Sequence, residues 1–247
     1  MKKGVKKLLK EDGFISRMNN CNNLFNILEK LKMAADDLRF LINRGYNKKV
    51  ALEFVSNHYL LEKKYRILLD RVIYSDDDIK RRERKILSED KINDRTLVID
   101  GFNVLITTEA MHVGHYIFLS DDKIYRDLEQ IFSRYKIKKY TKDVLYMLFY
   151  TLLDLNPEKV TILFDEQISR SRMIANICRN ILSRTKLKFE VRTSKNVDYE
   201  LIKISSEEND VIICSSDSVI ADKARFLFDI PGYLVKLLNY NRVFVLK

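Results

Sequence analysis

The sequence predicts an α/β fold with a central parallel sheet, preceded by an all-α module. Residues 22–74 show only helical periodicity, whereas short β-branched runs alternate with helical segments from residue 96 onward. The apolar share of 46% in 247 residues is enough for a substantial core. Three of the apolar runs end in an aspartate, at Asp100, Asp165 and Asp217. In a parallel sheet these strand ends would lie at one edge.

The chain divides into regions of different composition. The predicted regions are a basic tail (1–21), a helical module (22–75), a charged linker (76–95) and an α/β domain (96–247). Within the module, Gly45 can end the first helix, and Asn47 can cap the second. A third amphipathic helix follows over residues 61–72. Residues 75–95 are densely charged and nearly free of apolar side chains, which is typical of a linker or a solvated helix.

The α/β region is predicted element by element from its apolar runs and helix signals. Its strands are expected at 97–106, 159–164, 186–193, 210–215 and 242–246. Its helices are expected at 125–135, at 142–155, from a cap at Ser169 through 182, at 197–205 and from about 218. Residues 109–126 form an insertion that we predict to be a hairpin or a loop.

The strand-end carboxylates predict a metal site. Asp100, Asp165 and Asp217 would repel one another unless cations neutralise them, and oxygen ligands favour Mg²⁺ or Mn²⁺. Asp198 and Asp222 are further candidate ligands. Asn103 is a candidate for orienting a metal-bound water or Asp100. This chemistry suits phosphodiester hydrolysis and needs no histidine.

The segments IDGFN, VDYELIK and CSSDSVIAD carry a family resemblance. They are similar to motifs of the PIN-like nuclease superfamily, especially its NYN branch, over residues 95–247. The preceding module, with DLRFLINRGY and an arginine-rich stretch, resembles an uncharacterised, mostly archaeal two-part family. The resemblance implies a three-layer α/β/α PIN-like domain with a central parallel sheet. It also implies a metal-dependent ribonuclease.

The resemblance assigns roles to individual positions. The first-strand aspartate falls on Asp100, its companion asparagine on Asn103 and the late ligand on Asp217. The intermediate acid falls on Asp198 or Asp165. The chain departs from the family's usual SDxDF-like late motif, because Ser218 and the two residues after it include no second close aspartate. The identity of the fourth ligand, with Asp222 as one candidate, therefore stays open.

The charge distribution favours a nucleic-acid partner. Residues 1–94 carry 22 Lys and Arg against 15 Asp and Glu, which is most of the net charge of +10. RNA is the expected partner, and DNA, a homodimer and a ribonucleoprotein partner stay open. The candidate nucleic-acid contacts are Arg81, Arg82, Arg126, Ser169, Arg170, Arg172 and Ser215. The alternatives are a solvated face for Arg81 and Arg82, and a charged turn with a surface ion pair for Arg126. For Ser169, Arg170 and Arg172, the alternative is a plain helix start. Asp122 could add a metal ligand.

Other functions are weighed against hydrolysis. A non-catalytic RNA-binding or scaffold protein on the same fold is the main alternative, and the incomplete late motif favours it. A dehalogenase-like phosphatase would need an acid two residues after Asp100, where Phe102 stands. A dinucleotide site is excluded because no glycine-rich loop follows any strand. With no apolar run long enough for a membrane helix, we expect a soluble, cytoplasmic protein.

Overall fold

The computed structural model describes residues 21–128 and 135–246. Most of the predicted basic tail therefore lies outside the described residues. The helices are α1 (Cys21–Asn43), α2 (Lys48–His58), α3 (Lys63–Val72), α4 (Asp76–Glu83), α5 (Gly101–His112), α6 (Thr141–Leu155), α7 (Ser171–Leu182), α8 (Val197–Glu207), α9 (Ser218–Lys223) and α10 (Ile230–Leu237). The strands are β1 (Thr96–Asp100), β2 (Ile117–Leu119), β3 (Tyr125–Arg126), β4 (Lys159–Asp165), β5 (Lys188–Ser194), β6 (Val211–Cys214) and β7 (Val243–Val245).

The central sheet is parallel and has the strand order β5-β4-β1-β6. Ile99 of β1 lies opposite Ile162 of β4 on one side and Cys214 of β6 on the other. All four carboxyl ends therefore point to the same edge. After β1 the chain adds β4 and β5 on one side of it and then β6 on the other side. Open α/β sheets form ligand crevices where the strand order reverses in this way.

Helices cover both faces of this sheet. Leu97 and Ile99 belong to a core cluster shared with α5, α6, α7 and α10. Val98, between them in β1, belongs to a second cluster with α8 and α9. This alternation follows from the two-residue period of a strand, and burial on both faces explains why the strands consist of continuous apolar runs. The predicted α/β class with a parallel sheet and N-terminal helices is confirmed.

The first predicted strand is wrong in its second half. β1 ends at Asp100, and α5 begins at Gly101. All residues of α5 up to Met111 are buried, so its apolar side chains surround the helix and leave no helical period to detect. Gly101 allows the close packing, because a Cβ there would lie 2.5 Å from the Phe164 ring.

Two further sequence predictions are wrong. Residues Tyr125 and Arg126 form the short strand β3 rather than the start of a helix, and residues 129–134 lie outside the described part of the chain. Ser169 does not cap α7. That helix begins after Arg170, which has a left-handed φ of 66° and makes no side-chain cap.

A second sheet joins the helical module to the α/β region. Strand β2 pairs antiparallel with β3 and parallel with β7, so β7 does not extend the central sheet. Phe118 of β2 and Leu246 after β7 belong to the core cluster that contains Leu38, Val55 and Leu69 of α1, α2 and α3. The module thus buries its apolar stripes against this sheet, and the side chain of Asn47 caps α2 as predicted.

The charged stretch after the module is ordered. Ser75 caps α4, and the chain then runs beside the region that follows β6. The backbone N–H of Leu87 donates to the Leu227 carbonyl at 2.8 Å, and the Leu227 N–H donates to the Lys85 carbonyl at 2.8 Å. Because Leu227 also bridges to Ile213 of β6, residues 85–87 extend the edge of the central sheet. Within residues 21–128 and 135–246, no helix has the length and apolar character to cross a bilayer.

Candidate active site

A cleft of about 930 Å³ opens at the carboxyl edge of the central sheet. Asp100 is the last residue of β1 and Asp165 the last residue of β4, whereas Asp217 lies in the loop after β6 and Asp198 in the first turn of α8. All four line the cleft. The convergence follows from strand order, because β1 lies between β4 and β6 and all three run in one direction. Four of the six acidic residues predicted as candidate ligands therefore share one cavity.

Asp100 lies at the centre of this arrangement. Its Oδ1 accepts the backbone N–H of Asn103 at 3.3 Å, which makes Asp100 the cap of α5. Its Oδ2 accepts the hydroxyl of Ser215 at 2.9 Å. Burial raises the pKa of Asp100 to about 7, and the charges of Asp198 and Asp217 act in the same direction.

Ser215 joins the first strand to the late motif. While its hydroxyl donates to Asp100, its Oγ accepts the backbone N–H of Asp217 at 3.1 Å. Asp217 Oδ1 in turn accepts the N–H groups of Val219 at 2.8 Å and Ile220 at 3.1 Å, so that it caps α9. The hydroxyl therefore links the Asp100 carboxylate to the backbone of Asp217. Ser215 is 6% exposed, which favours this structural contact over the predicted nucleic-acid contact.

Asn103 fixes the same loop from the other side. Its Oδ1 accepts both the backbone N–H of Ser216, at 2.8 Å, and the Ser216 hydroxyl, at 2.9 Å. Asn103 lines the cleft but is 8% exposed. Its observed contacts orient the loop that carries Asp217, and they do not orient Asp100 through the Asn103 side chain.

Asp165 and Asp198 supply the other carboxylates of the cleft. Asp165 Oδ1 accepts the backbone N–H of Gln167 at 2.8 Å, and Asp198 is exposed. Although its side chain is exposed, partial desolvation inside the cleft raises the pKa of Asp198, and the charges of Asp217 and Asp165 raise it further. The charge of Asp217 thus acts on both Asp100 and Asp198, as expected for carboxylates that share one cleft.

Asp222 does not join this group. Its carboxylate accepts the Nε of Arg82 at 2.8 Å, the Nη2 of Arg82 at 3.0 Å and the Nη2 of Arg81 at 3.0 Å. These contacts lower the pKa of Asp222 even though burial opposes the shift. The prediction that Asp222 is a metal ligand is corrected, because Arg81 and Arg82 of α4 bind its carboxylate.

Two predicted phosphate-binding arginines are also buried in ion pairs. Asp122 lies between them, with Arg82 Nη1 at 2.7 Å and Arg126 Nη1 at 2.6 Å. The three side chains are at most 3% exposed, so neither arginine is open to a polyanion and Asp122 is not free for a metal. Arg126 Nε donates instead to the Ser216 carbonyl at 2.8 Å.

The predicted anion site at the start of α7 is only partly formed. Ser169 lines the cleft, but Arg170 and Arg172 are not among its lining residues. Arg172 pairs with Glu166 at 2.7 Å at the surface.

Arg81, the remaining candidate for a phosphate contact, lies in α4. It is about half exposed, and its guanidinium pairs with both Asp78 and Asp222.

Several residues that line the cleft are not predicted from the sequence. They are Phe102, Ile106, Tyr135, Gln167, Ile168, Lys195, Asn196 and Val197. Phe102 and Ile106 lay in what was predicted as a strand, and Tyr135 lay at the end of a predicted helix. The signal that could have found Lys195 is its position between β5 and α8, since loops at this edge of a sheet line ligand sites.

The donor set of the cleft fits a hard divalent cation. Its ligands would be carboxylate oxygens, and desolvation, followed by the charges of Asp198 and Asp217, raises the pKa of Asp100. Within residues 21–128 and 135–246, no three His, Cys, Asp or Glu side chains already form a compact metal-binding group. Asp100, Asp165, Asp198 and Asp217 are the residues that could hold an ion together.

Comparisons with known proteins divide the chain in two. A family model described as Domain of unknown function (DUF5616) matches residues 89–233, and one described as Protein of unknown function (DUF434) matches residues 30–85. The Uncharacterized protein MJ0935 of Methanocaldococcus jannaschii is 38% identical over 211 residues, which covers 85% of this chain and 98% of that protein. No solved structure matches the chain.

Proposed function

We propose that this chain, which belongs to the family described as Domain of unknown function (DUF5616), is a metal-dependent ribonuclease. The observation that carries the proposal is the meeting of Asp100, Asp165, Asp198 and Asp217 in one cleft at the carboxyl edge of the sheet. The parallel sheet with helices on both faces supports a PIN-like α/β/α domain. The basic excess of the chain, +10 overall, suits a polyanionic substrate.

The proposed mechanism depends on how the chain holds its acids. Bound Mg²⁺ or Mn²⁺ would supply a water of lowered pKa and would neutralise charge on the phosphate. Asp100 and Asp217 would contribute carboxylate oxygens to the ion, and the Ser215 hydroxyl links the Asp100 carboxylate to the backbone of Asp217. Asp165 and Asp198 would complete the set of carboxylates that line the cleft.

The chain also fixes these acids against movement. Asn103 holds Ser216 through two hydrogen bonds, and Arg126 donates to the Ser216 carbonyl. The loop that carries Asp217 is thus anchored by two separate side chains. Such anchoring keeps the carboxylates in place before substrate binds, which is the arrangement that electrostatic catalysis requires.

The direct test is cleavage of single-stranded RNA in the presence of Mn²⁺. The Asp100→Asn and Asp217→Asn variants keep the hydrogen-bonding shape but lose the anionic ligands, so we expect cleavage to be abolished. Asp210→Asn is the matched control, because Asp210 is exposed and immediately precedes β6, at the end of that strand opposite Asp217. Cleavage by the Asp100→Asn/Asp217→Asn protein at the wild-type rate would eliminate the mechanism.

RNA binding without cleavage is the second candidate function. The observation that favours it is the use of Asp217 Oδ1 and Asp165 Oδ1 as acceptors for backbone N–H groups, which leaves fewer oxygens for an ion. Titration with Mn²⁺ separates the two functions. A wild-type protein that binds RNA in a salt-sensitive way, yet neither binds Mn²⁺ at millimolar concentration nor cleaves, would be a binding protein.

A further inference from the structure

The cleft has an apolar and aromatic wall besides its acidic part. Phe102, Ile106, Tyr135 and Ile168 line it. The rings of Phe102 and Tyr135 lie 4.9 Å apart with their planes tilted by 57°. Phe102 is buried, whereas Tyr135 is partly exposed. Tyr135 is therefore the aromatic ring of this wall that a ligand can reach.

Tyr135 is held in place from behind. Its hydroxyl donates to Glu109 Oε1 at 3.1 Å, and the same carboxylate accepts the Thr141 hydroxyl. Lys138 Nζ lies 3.2 Å from the other oxygen of Glu109. A ring fixed at its hydroxyl end loses little freedom when a planar ligand stacks on it, and this lowers the entropic cost of binding.

The rim of the cleft carries a positive charge. Lys195 lines the cavity in the turn between β5 and α8, and it is exposed. Its ammonium group makes no hydrogen bond or ion pair with any residue that the structure describes. Gln167 Nε2 donates to the Lys195 carbonyl at 3.1 Å, which ties this turn to the loop after β4. The cleft thus combines carboxylates, an aromatic ring and a cation.

We propose that the cleft takes an unpaired nucleotide, whose base stacks on Tyr135 while Lys195 contacts a phosphate. The proposal rests on the proposed function and names its substrate class as single-stranded RNA. A volume of about 930 Å³ lies in the upper range of small-ligand sites and accommodates a base with its ribose. A base inside a duplex is already stacked on both faces and cannot reach a recessed ring unless it is flipped out.

The chain contains no tryptophan, so one can be placed at the ring itself. We would make Tyr135→Trp in the Asp100→Asn/Asp217→Asn background, which keeps the RNA intact. The probe is an RNA of about ten nucleotides with a fluorescent end label, offered single-stranded or as a blunt duplex. We expect the single strand to quench the emission of the introduced indole in a saturable way, and the duplex to leave it largely unchanged.

Two variant pairs, again in the Asp100→Asn/Asp217→Asn background, test the roles separately. Tyr135→Leu keeps apolar bulk but loses the stacking face, so we expect binding to weaken about tenfold to a hundredfold. Tyr135→Phe keeps the stacking face but loses the hydrogen bond to Glu109, so it should weaken binding much less than Tyr135→Leu does. Lys195→Ala, at an exposed position that folding does not need, should reduce the salt dependence by about one counterion, and Lys195→Arg should restore it.

The outcomes separate this inference from the proposed function. Binding of the labelled single strand without any change in indole emission would overturn the inference, and so would equal quenching by the duplex. Wild-type cleavage combined with either result would leave the ribonuclease standing. Quenching by the single strand in a protein whose wild-type form does not cleave RNA with Mn²⁺ would support the nucleotide site and refute the ribonuclease.

Discussion

Asp100 is proposed to bind a metal ion through its carboxylate, but the charge of that carboxylate lowers the stability of the folded chain. Its pKa rises from 3.8 to about 7, chiefly because the carboxyl group is desolvated, and also because Asp198 and Asp217 repel its charge. Between these two pH values the folded chain keeps a proton that the unfolded chain releases. Stability therefore falls as the pH rises through this window, and the full cost is present above about pH 7.

We predict that Asp100→Asn stabilises the protein at pH 8 in EDTA. An asparagine oxygen can still accept the N–H of Asn103, and no charge is buried. Because Asp100 remains partly open to the cleft, we expect a gain on the order of 1–2 kcal/mol, shrinking toward zero below about pH 4. Urea unfolding at the two pH values measures it.

Two comparisons make this measurement specific to Asp100. Burial also raises the pKa of Asp229 to about 6, but Asp229 is present in both proteins and its contribution cancels. Asp210→Asn should leave the stability unchanged at both pH values, since Asp210 is exposed. A variant no more stable than the wild type at pH 8 would show that the charge of Asp100 is not costly.

At the scale of elements, α4 contributes far more than its charged sequence indicates. Arg82 is 3% exposed and contacts Asp122, Asp222 and the ring of Tyr74, whose centroid lies 4.1 Å from the guanidinium carbon. Arg81, the preceding residue, is 49% exposed and pairs with Asp78 and Asp222. Helix α4 therefore carries one buried arginine and one exposed arginine, each in an ion pair, and the two can be compared directly.

We predict that Arg82→Met destabilises the protein much more than Arg81→Met. Removing Arg82 leaves Asp122 buried with Arg126 as its remaining partner, so we expect a loss of about 2–4 kcal/mol. Removing Arg81 from the surface should cost less than about 1 kcal/mol. Chemical denaturation of both variants compares them directly. Equal losses would mean that burial does not distinguish these two ion pairs.

The sequence predicts elements well where one local period dominates. Helix α6 and strand β4 are found to within a residue, because amphipathic spacing and a continuous apolar run mark them. Helix α5 is missed because it is buried on every side. Helix α10 is missed because its signals, Asp229 as cap and Pro231 in the first turn, follow a segment without a clear period. Tertiary burial, which no local pattern encodes, decides both cases.

The candidate site divides in the same way. The convergence of Asp100, Asp165 and Asp217 is predictable, since it follows from equivalent positions on parallel strands. The capture of Asp222 by Arg82 is not predictable, because the two residues are 140 positions apart and nothing local pairs them. Tyr135 and Lys195 reach the cleft from separate segments, and only the folded arrangement brings them together.

At the scale of the whole molecule, the two family matches do not correspond to two independent units. The matches meet between residues 85 and 89, within or beside the segment that pairs with Leu227. The core of the helical module includes Phe118 and Leu246 from the other part. Arg39 donates to both carboxylate oxygens of Asp121, each at 2.9 Å, and so adds a polar link across the same contact.

This contact also reaches the candidate site. Arg82 of α4 and Arg126 of β3 share Asp122. Arg126 in turn donates to the Ser216 carbonyl, and the Ser216 N–H donates to Asn103 beside the carboxylates of the cleft. A continuous series of buried ion pairs and hydrogen bonds therefore connects the helical region to the loop that carries Asp217. Loss of that region should disturb the cleft as well as the surface that it covers.

We predict that a shortened chain comprising residues 89–247 does not fold cooperatively. It would expose Phe118 and Leu246, remove Arg82 from the buried Asp122, and leave the edge at Leu227 unpaired. A chain beginning at residue 74 regains α4 and the strand pairing but not the apolar cover. It should unfold cooperatively at a temperature below that of the full chain. Thermal circular dichroism compares the unfolding temperatures of the three chains. If residues 89–247 unfold cooperatively at the temperature of the full chain, the α/β part folds alone.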